Sequence, residues 1–265
     1  MTSVFSYSPP QKRGVPILIS VPHAGTAFPE EWSHGVLQSP FQTHPPDTDW
    51  FVDKLYTFAP ELGIGVIKAN LSRYVVDLNR DPKAKPLYSD GRLITGPIPL
   101  QSFEGKDLYR DPPSEEEKKT RIRTYFQPYH NAIQAKLAEL KERHESVLLF
   151  DAHSIRHHVP KLHAEPFPDL ILGNNDQKTA SPQLIEACWE VLRQSTYTAS
   201  HNSPFKGGYI TRHYGHPQSG IHTLQLEMSQ RIYMDEERGI WDVQKASSVQ
   251  QLLRIVFQRL IEAMA

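Results

Sequence analysis

The sequence predicts an α/β fold, one domain over residues 1–265, in which helices flank a sheet of parallel strands. Three observations carry this. Short apolar, β-branched runs such as Val15–Val21 (VPILISV) and Val147–Phe150 (VLLF) end in turn-forming or polar residues, as buried strands do. Longer stretches of helical periodicity lie between them, and this alternation is the pattern of a parallel sheet. Apolar residues make up 38% of the chain and are spread along its length, enough to bury a core.

Taken in order, Val15–Val21 sits between Gly14 and PHAG, which places His23 just past a strand end. Asp49–Leu62 (DWFVDKLYTFAPEL) spaces Trp50, Val52, Leu55, Tyr56 and Phe58 at helical period, with Pro60 limiting the last turn. Ile64–Ala69 and Tyr74–Leu78 read as two more strands, with Arg73, Asn79 and Arg80 at the edges of the second. From Pro82 to Pro113 the chain is rich in Pro and Gly without steady period, the kind of long irregular segment that covers a site. Ser114 then opens a helix with acids in its first turn and bases later, broken around Pro128. Val147–Phe150 is the next buried strand, with DAHS at its C-terminal end. Leu170–Gly173 and Thr223–Met228 are further strands, and Ser181–Arg193 and Val243–Ala265 are helices.

Charge and cysteine content exclude several classes. Lys plus Arg (29) balances Asp plus Glu (30), so no overall field draws the chain to nucleic acid or an anionic membrane, and a small-molecule partner is expected. The one cysteine, Cys188, lies in the amphipathic EACWEVLRQ and reads as a small buried thiol, with no internal disulfide framework. No apolar run of about 18 residues occurs, and MTSVFSYSPPQKRG does not read as a leader, so a cytoplasmic location is expected. There is no G-x-S-x-G elbow for a serine hydrolase.

Ligands of open α/β sheets bind outside the carboxyl ends of the strands. His23, Asp151 and His153 all fall at such ends. A hydrolytic zinc site takes about three protein ligands and leaves a position for water, so two histidines and one acid suffice. Glu30 and Glu31 lie seven and eight residues beyond His23, too far for an H-x-x-E pair. Asp47 and Asp49 in PPDTDW are the nearer choices. Asp49 is favoured because it directly precedes an amphipathic face, although an aspartate there is also an ordinary N-cap. Asp151, two residues before His153, shares its strand face and either orients that histidine or is plainly structural.

The ordered set PHAG, DTDW, SRYVVDLNRDP, PYHNAI, LLFDAHSIR, PFKGGYITRHYG and LQLEMSQRIYMDE, from Val15 to about Glu236, resembles the N-formylglutamate amidohydrolase (deformylase) family of histidine degradation. More distantly it is similar to the zinc carboxypeptidase and aspartoacylase group. The resemblance implies a mixed, mostly parallel sheet flanked by helices, of the zinc-carboxypeptidase, phosphorylase/hydrolase-like type. It also implies metal-dependent hydrolysis of N-formyl-L-glutamate to formate and L-glutamate. Zn2+ is the implied cofactor, though iron, cobalt or manganese also suits a His, His, carboxylate set.

Shared elements match His23, Asn79 with Arg80, His153 and Glu227. The glutamate that follows the first histidine by three residues in those relatives has no counterpart at Gly25–Thr26, so the acidic ligand stays between Asp47 and Asp49. Glu227, in TLQLEM, is the candidate general base, against a solvent-facing strand residue. Arg73 resembles the arginine that stabilises the developing oxyanion. Asn79 and Arg80 resemble the pair that holds the substrate α-carboxylate, against ordinary ion pairing with Asp77 or Asp81. A second carboxylate needs a second cation, for which Arg212 ranks ahead of Lys206 and Arg156. Gly207 and Gly208, followed by Tyr209, let backbone approach a ligand closely. His130 either polarises the substrate or packs within a helix layer. The rival functions are an aspartoacylase-like or carboxypeptidase-like hydrolase of another N-acyl acidic amino acid, and a catalytically silent metal- or amino-acid-binding protein.

Overall fold

The computed structural model describes residues 3–32, 36–38, 41–86 and 95–265. Its main elements in chain order are β1 (Phe5–Ser8), β2 (Ile17–Val21), α1 (Val52–Leu55), β3 (Gly65–Ala69), α2 (Glu115–Arg121), α3 (Gln127–Lys141), β4 (Val147–Ile155), β5 (Leu170–Gly173), α4 (Pro182–Gln194), β6 (Ala199–His201), α5 (Tyr209–Tyr214), β7 (Ile221–Ser229) and α6 (Val243–Ala263), with a small antiparallel pair, Met234–Asp235 and Ile240–Trp241, before α6. The seven strands form one sheet in the order β1-β3-β2-β4-β7-β5-β6. The central β3, β2, β4 and β7 run parallel, as do β5 and β6; β1 opposes β3 and β5 opposes β7. The sheet is therefore mixed and mostly parallel, as expected.

The two-residue period of the strands sorts the core into layers. Ile17, Ile19 and Val21 of β2, Leu148, Phe150 and Ala152 of β4, and Leu224, Leu226 and Met228 of β7 pack with α1, α4 and α6. Leu18, Val147 and Leu149 face the other way, against Ile133 and Leu137 of α3 and Ile210 and Tyr214 of α5. Along that second face β4 and β7 turn polar toward their C-terminal ends, with Asp151 and His153 beside Gln225 and Glu227. The site is thus the polar continuation of a core face.

Two expected elements differ. Tyr74–Leu78 is a buried run of turns, not a strand. Its amides go to no strand, Tyr74 N to Ser72 Oγ, Val75 N to Ser72 O and Asp77 N to Pro97 O, and just beyond it Asn79 N and Arg80 N turn back onto the Asp77 carboxylate and Asp77 O. Its β-branched and aromatic side chains are buried by packing between clusters rather than by sheet pairing. Asp49–Leu62 is not one helix. Phe51 adopts a left-handed φ of 60°, α1 spans only Val52–Leu55, and Ala59–Leu62 is a 3-10 turn with Pro60 at its start. Conversely, the strand expected to stop at Phe150 runs on to Ile155, because β7 pairs with all nine positions.

The irregular segment is confirmed over residues 95–113, which hold only an isolated bridge, Gln101 with Asp107; residues 87–94 of that expectation lie outside the described residues. The helix opened by Ser114 passes through a π turn at Ile122–Phe126 before resuming as α3 at Gln127, with Pro128 in its first turn. Ser114 Oγ accepts from Glu117 N at 3.2 Å. Ser114→Ala is expected to cost about 1 kcal/mol, read as a lowered urea midpoint.

Candidate active site

His23, Asp49 and His153 meet at the C-terminal ends of β2 and β4. They form the one group of His, Cys, Asp or Glu among the described residues able to hold a metal ion, with donor atoms all within 4.8 Å of one another. His23 follows β2 on a loop pressed against residues 70–71. A Cβ on Gly25 would stand 2.4 Å from Leu71 O, so only glycine lets the HAG turn lie there. Asp49 Oδ2 lies 3.8 Å from His23 Nδ1 and 3.1 Å from His153 Nδ1. Between the two aspartates left open by the sequence, Asp49 is the one in this group. The Asp47 carboxylate instead accepts from Tyr74 Oη and from Phe103 N, each at 2.8 Å.

Each histidine is backed on its far nitrogen. His23 Nε2 is 2.8 Å from Asp77 Oδ1, and His153 Nε2 is 3.0 Å from Asp151 Oδ2. A carboxylate on Nε2 fixes the tautomer that keeps its proton there and leaves the Nδ1 lone pair for a cation, the usual support of a metal-binding histidine. Arg73 joins the acids: Nη2 pairs with Asp77 Oδ2 at 2.6 Å, Nη1 donates to Asp47 O at 3.2 Å and stands 3.5 Å from Asp49 Oδ1, and the Phe103 ring lies over the guanidinium.

Electrostatics favour a cation. Asp47, Asp49, Asp77 and Asp151 are all buried, and Arg73 is the buried arginine that faces them. Burial opposes charge on Asp49, but the His153 hydrogen bond and the nearby His23, His153 and Arg73 charges hold its carboxyl below the ordinary range. Burial likewise opposes charge on Asp77, yet Arg73 and His23 hold it well below. Burial and then Arg73 lower His23, whereas at His153 the burial penalty is outweighed by Asp151 and Asp49, which raise it well above its ordinary value. A divalent cation between the three would compete with the proton His153 attracts. Asp49 Oδ1 and Asp151 Oδ1 are buried without a hydrogen bond. This set of imidazole nitrogen and carboxylate oxygen, with acceptor capacity to spare and an excess of negative charge, fits a borderline divalent metal.

The other sequence candidates distribute around this group. Glu227 pairs in register with His153 on the adjacent parallel strand, and its carboxyl is pushed up to about 8 by burial and by Asp49 and Asp151, against the lowering pull of His153 and Arg73. Asn79 stands behind His153: Nδ2 lies 2.9 Å from His153 Nε2 and 3.3 Å from Asp151 Oδ2, while Oδ1 accepts from Ile210 N at 2.7 Å. Arg80 is half-buried and donates to Thr95 O and to Asn79 O. Gly208 N donates to Gln225 Oε1, and Tyr209 N to Asn79 O. The Tyr209 ring stacks on His213 at 4.8 Å. Arg212 Nε donates to Gly207 O. Lys206 pairs with Asp176, and Arg156 with Glu104.

Gly208 has ordinary dihedrals, so space and not conformation demands glycine: a Cβ would fall 2.3 Å from Asn79 Nδ2. Gly208→Ala is expected to displace Asn79 from His153 and Asp151 and to lower kcat/KM roughly 10–100-fold, as loss of a supporting contact does. Steady-state kinetics on a variant of unchanged circular dichroism would check this.

His130 is buried away from the cluster's donor atoms. Nδ1 bonds Tyr214 Oη and Nε2 bonds Leu78 O, each at 2.9 Å, and Phe126 stacks on the ring at 4.0 Å. Burial lowers its pKa to about 3. A depressed imidazole pKa gives stability that is present above the unfolded value near 6.5 and is lost as pH falls toward the folded one. Each pH unit below about 6.5 should therefore cost about 1.4 kcal/mol through this residue alone. Urea midpoints of wild type and His130→Gln between pH 7 and 5 should converge as pH falls; parallel curves would refute it.

Asp77, expected from the sequence only as an ion-pair partner, backs His23. Its signal was present as the i,i+4 pair Arg73 and Asp77 inside SRYVVDLNR. Ser154 N, which donates to Asp49 Oδ2 at 3.0 Å, and Gln225, Gln230 and Tyr233 carried no such signal.

Fold and site together define an α/β protein with a buried His, Asp, His group able to hold a metal ion at the carboxyl edge of its sheet. The chain belongs to the N-formylglutamate amidohydrolase family, whose pattern matches residues 15–234. It is 39% identical over 251 residues to N-formylglutamate deformylase of Pseudomonas putida, covering 93% of this chain and 92% of that one. It is 45% identical over 231 residues to N-formylglutamate deformylase of Pseudomonas aeruginosa PAO1, covering 85% of each. The crystal structure of N-formylglutamate amidohydrolase from Ralstonia eutropha JMP134 superposes with a TM-score of 0.86 at 23% identity over 99% of both chains. A gene product of Agrobacterium tumefaciens does so at 0.75 and 16% identity, over 98% of this chain and 95% of that one. At these identities the two structures speak to the fold.

Proposed function

We propose that the protein hydrolyses N-formyl-L-glutamate to formate and L-glutamate, a metal-dependent deformylation that in histidine degradation would take place in the cytoplasm. The observation that supports this best is the meeting of two carboxylate-backed histidines with Asp49, in a chain 39–45% identical over most of its length to proteins bearing the deformylase name.

Zinc is the cation we assign to His23, Asp49 and His153; bound there it would supply Lewis acidity to the formyl carbonyl and acidify water. Glu227 takes the proton of the attacking water and returns it to the glutamate nitrogen as the C–N bond breaks. Its raised pKa suits a base that must also become an acid near neutrality. Arg73 balances the ligand and backing carboxylates and adds positive charge where the oxyanion develops. Asn79 donates to Asp151 Oδ2, the carboxylate that backs His153, and so holds that pair in place beside the substrate. Arg80 and Arg212, both half-buried, receive the two substrate carboxylates, with the Gly208–Tyr209 backbone between them. A formyl group offers almost no apolar surface, so selectivity would come from excluding larger acyl groups and pairing both carboxylates.

The test is formate release from N-formyl-L-glutamate by the purified protein, with chelator, with zinc restored, and beside N-acetyl-L-glutamate. Chelator-sensitive turnover restored by zinc and confined to the formyl compound is the expected result. Equal turnover of the acetyl compound would overturn the formyl assignment, and turnover indifferent to chelator would overturn the metal.

A further inference from the structure

Two buried residues of the turn that follows β7, Gln230 and Tyr233, tie down the loop carrying Asp49, and the proposed chemistry does not use them. Gln230 Nε2 donates to Thr48 O at 2.9 Å and lies 3.4 Å from Ser154 Oγ. Tyr233 Oη is 2.8 Å from Trp50 O and 2.7 Å from Ser154 Oγ. Thr48 and Trp50 are the chain neighbours of Asp49, so both carbonyls flanking that residue are held from one turn.

The donor inventory makes this a directed chain. A carbonyl only accepts, so the Tyr233 proton goes to Trp50 O. The Ser154 hydroxyl then donates to Tyr233 Oη and accepts from Gln230, whose second amide proton serves Thr48 O. Ser154 closes the arrangement by donating its backbone N–H to Asp49 Oδ2 at 3.0 Å, while Asp49 N donates to His23 O at 3.1 Å. Local preference would not produce this loop unaided, since Phe51 immediately after it sits at a left-handed φ of 60° that a phenylalanine rarely adopts.

We infer that Gln230 and Tyr233 are positioning residues that hold the Asp49 carboxylate in place between His23 Nδ1 and His153 Nδ1, and so set the affinity for the metal. The inference rests on reading His23, Asp49 and His153 as a metal site.

The experiment is zinc competition against a chromogenic chelator, on wild type, Tyr233→Phe, Gln230→Met, Asp49→Ala and Tyr129→Phe. Tyr129 serves as control: it is equally buried, and its hydroxyl bonds Ser20 Oγ at 2.9 Å, outside the Asp49 loop. Tyr233→Phe and Gln230→Met should each weaken zinc binding roughly 10–100-fold. Tyr129→Phe should lower the thermal midpoint and leave zinc affinity alone. Wild-type affinity in Tyr233→Phe and Gln230→Met, with lowered midpoints, would overturn the inference and leave the metal site standing. Equal zinc binding by wild type and Asp49→Ala would overturn the metal site itself and the inference with it. Should Tyr233→Phe not fold, Gln230→Met decides alone, since it leaves the tyrosine bonds intact.

Discussion

Replacing Asp49 by alanine is expected to weaken zinc binding by about a hundredfold to a thousandfold and to abolish formate release at ordinary zinc concentrations. Structural zinc binding is worth roughly 10–16 kcal/mol over four ligands, so one ligand accounts for about 3 kcal/mol. The loss should be as large for His23→Ala or His153→Ala, because the donor atoms of all three lie within 4.8 Å of one another. Asp47→Ala should behave differently. Its carboxylate serves Tyr74 and Phe103 N, so that variant should lose stability while retaining most of its zinc. Metal analysis of the four purified variants checks this, and normal zinc in the Asp49 and His153 variants would refute the site.

Glu227→Gln should lower kcat by about 10²–10⁴ with zinc content and KM little changed. Glutamine keeps the size and the strand position of Glu227 and removes only its capacity to carry a proton. A retained kcat would reduce Glu227 to a strand residue that happens to adjoin His153. A loss of zinc in this variant would instead make it a ligand, which its place on the neighbouring strand does not require.

Much of the fold was legible because strands and helices here announce themselves by period. Leu170–Gly173 and the capped helices after Ser114 and Ser181 carry their boundaries in local chemistry. What misled was context. Tyr74–Leu78 has a strand's composition, but its amides are spent on Ser72 and on Pro97 O, a choice made by the third dimension. DAHSI looks too polar for a buried strand until His153 and Asp151 are seen to satisfy each other. At the site, His23 and His153 were found from their place at strand ends, and Asp49 only as the better of two acids. The residues that hold them, Asp77, Ser154, Gln230 and Tyr233, act through contacts 54 to 183 positions apart in sequence, and one sequence has no way to display such pairs.

The register of β4 against β7 has a consequence for how such a protein can change. His153 and Glu227 face each other across one step of a parallel ladder, so their separation follows from the inter-strand spacing of about 4.8 Å and from nothing on the loops. Arg80, Arg212 and the segment over residues 95–113 lie outside that ladder. Substitution and insertion at the rim are thereby uncoupled from the spacing of His153 and Glu227, and a lineage could exchange one acyl amino acid for another without rebuilding the ladder beneath.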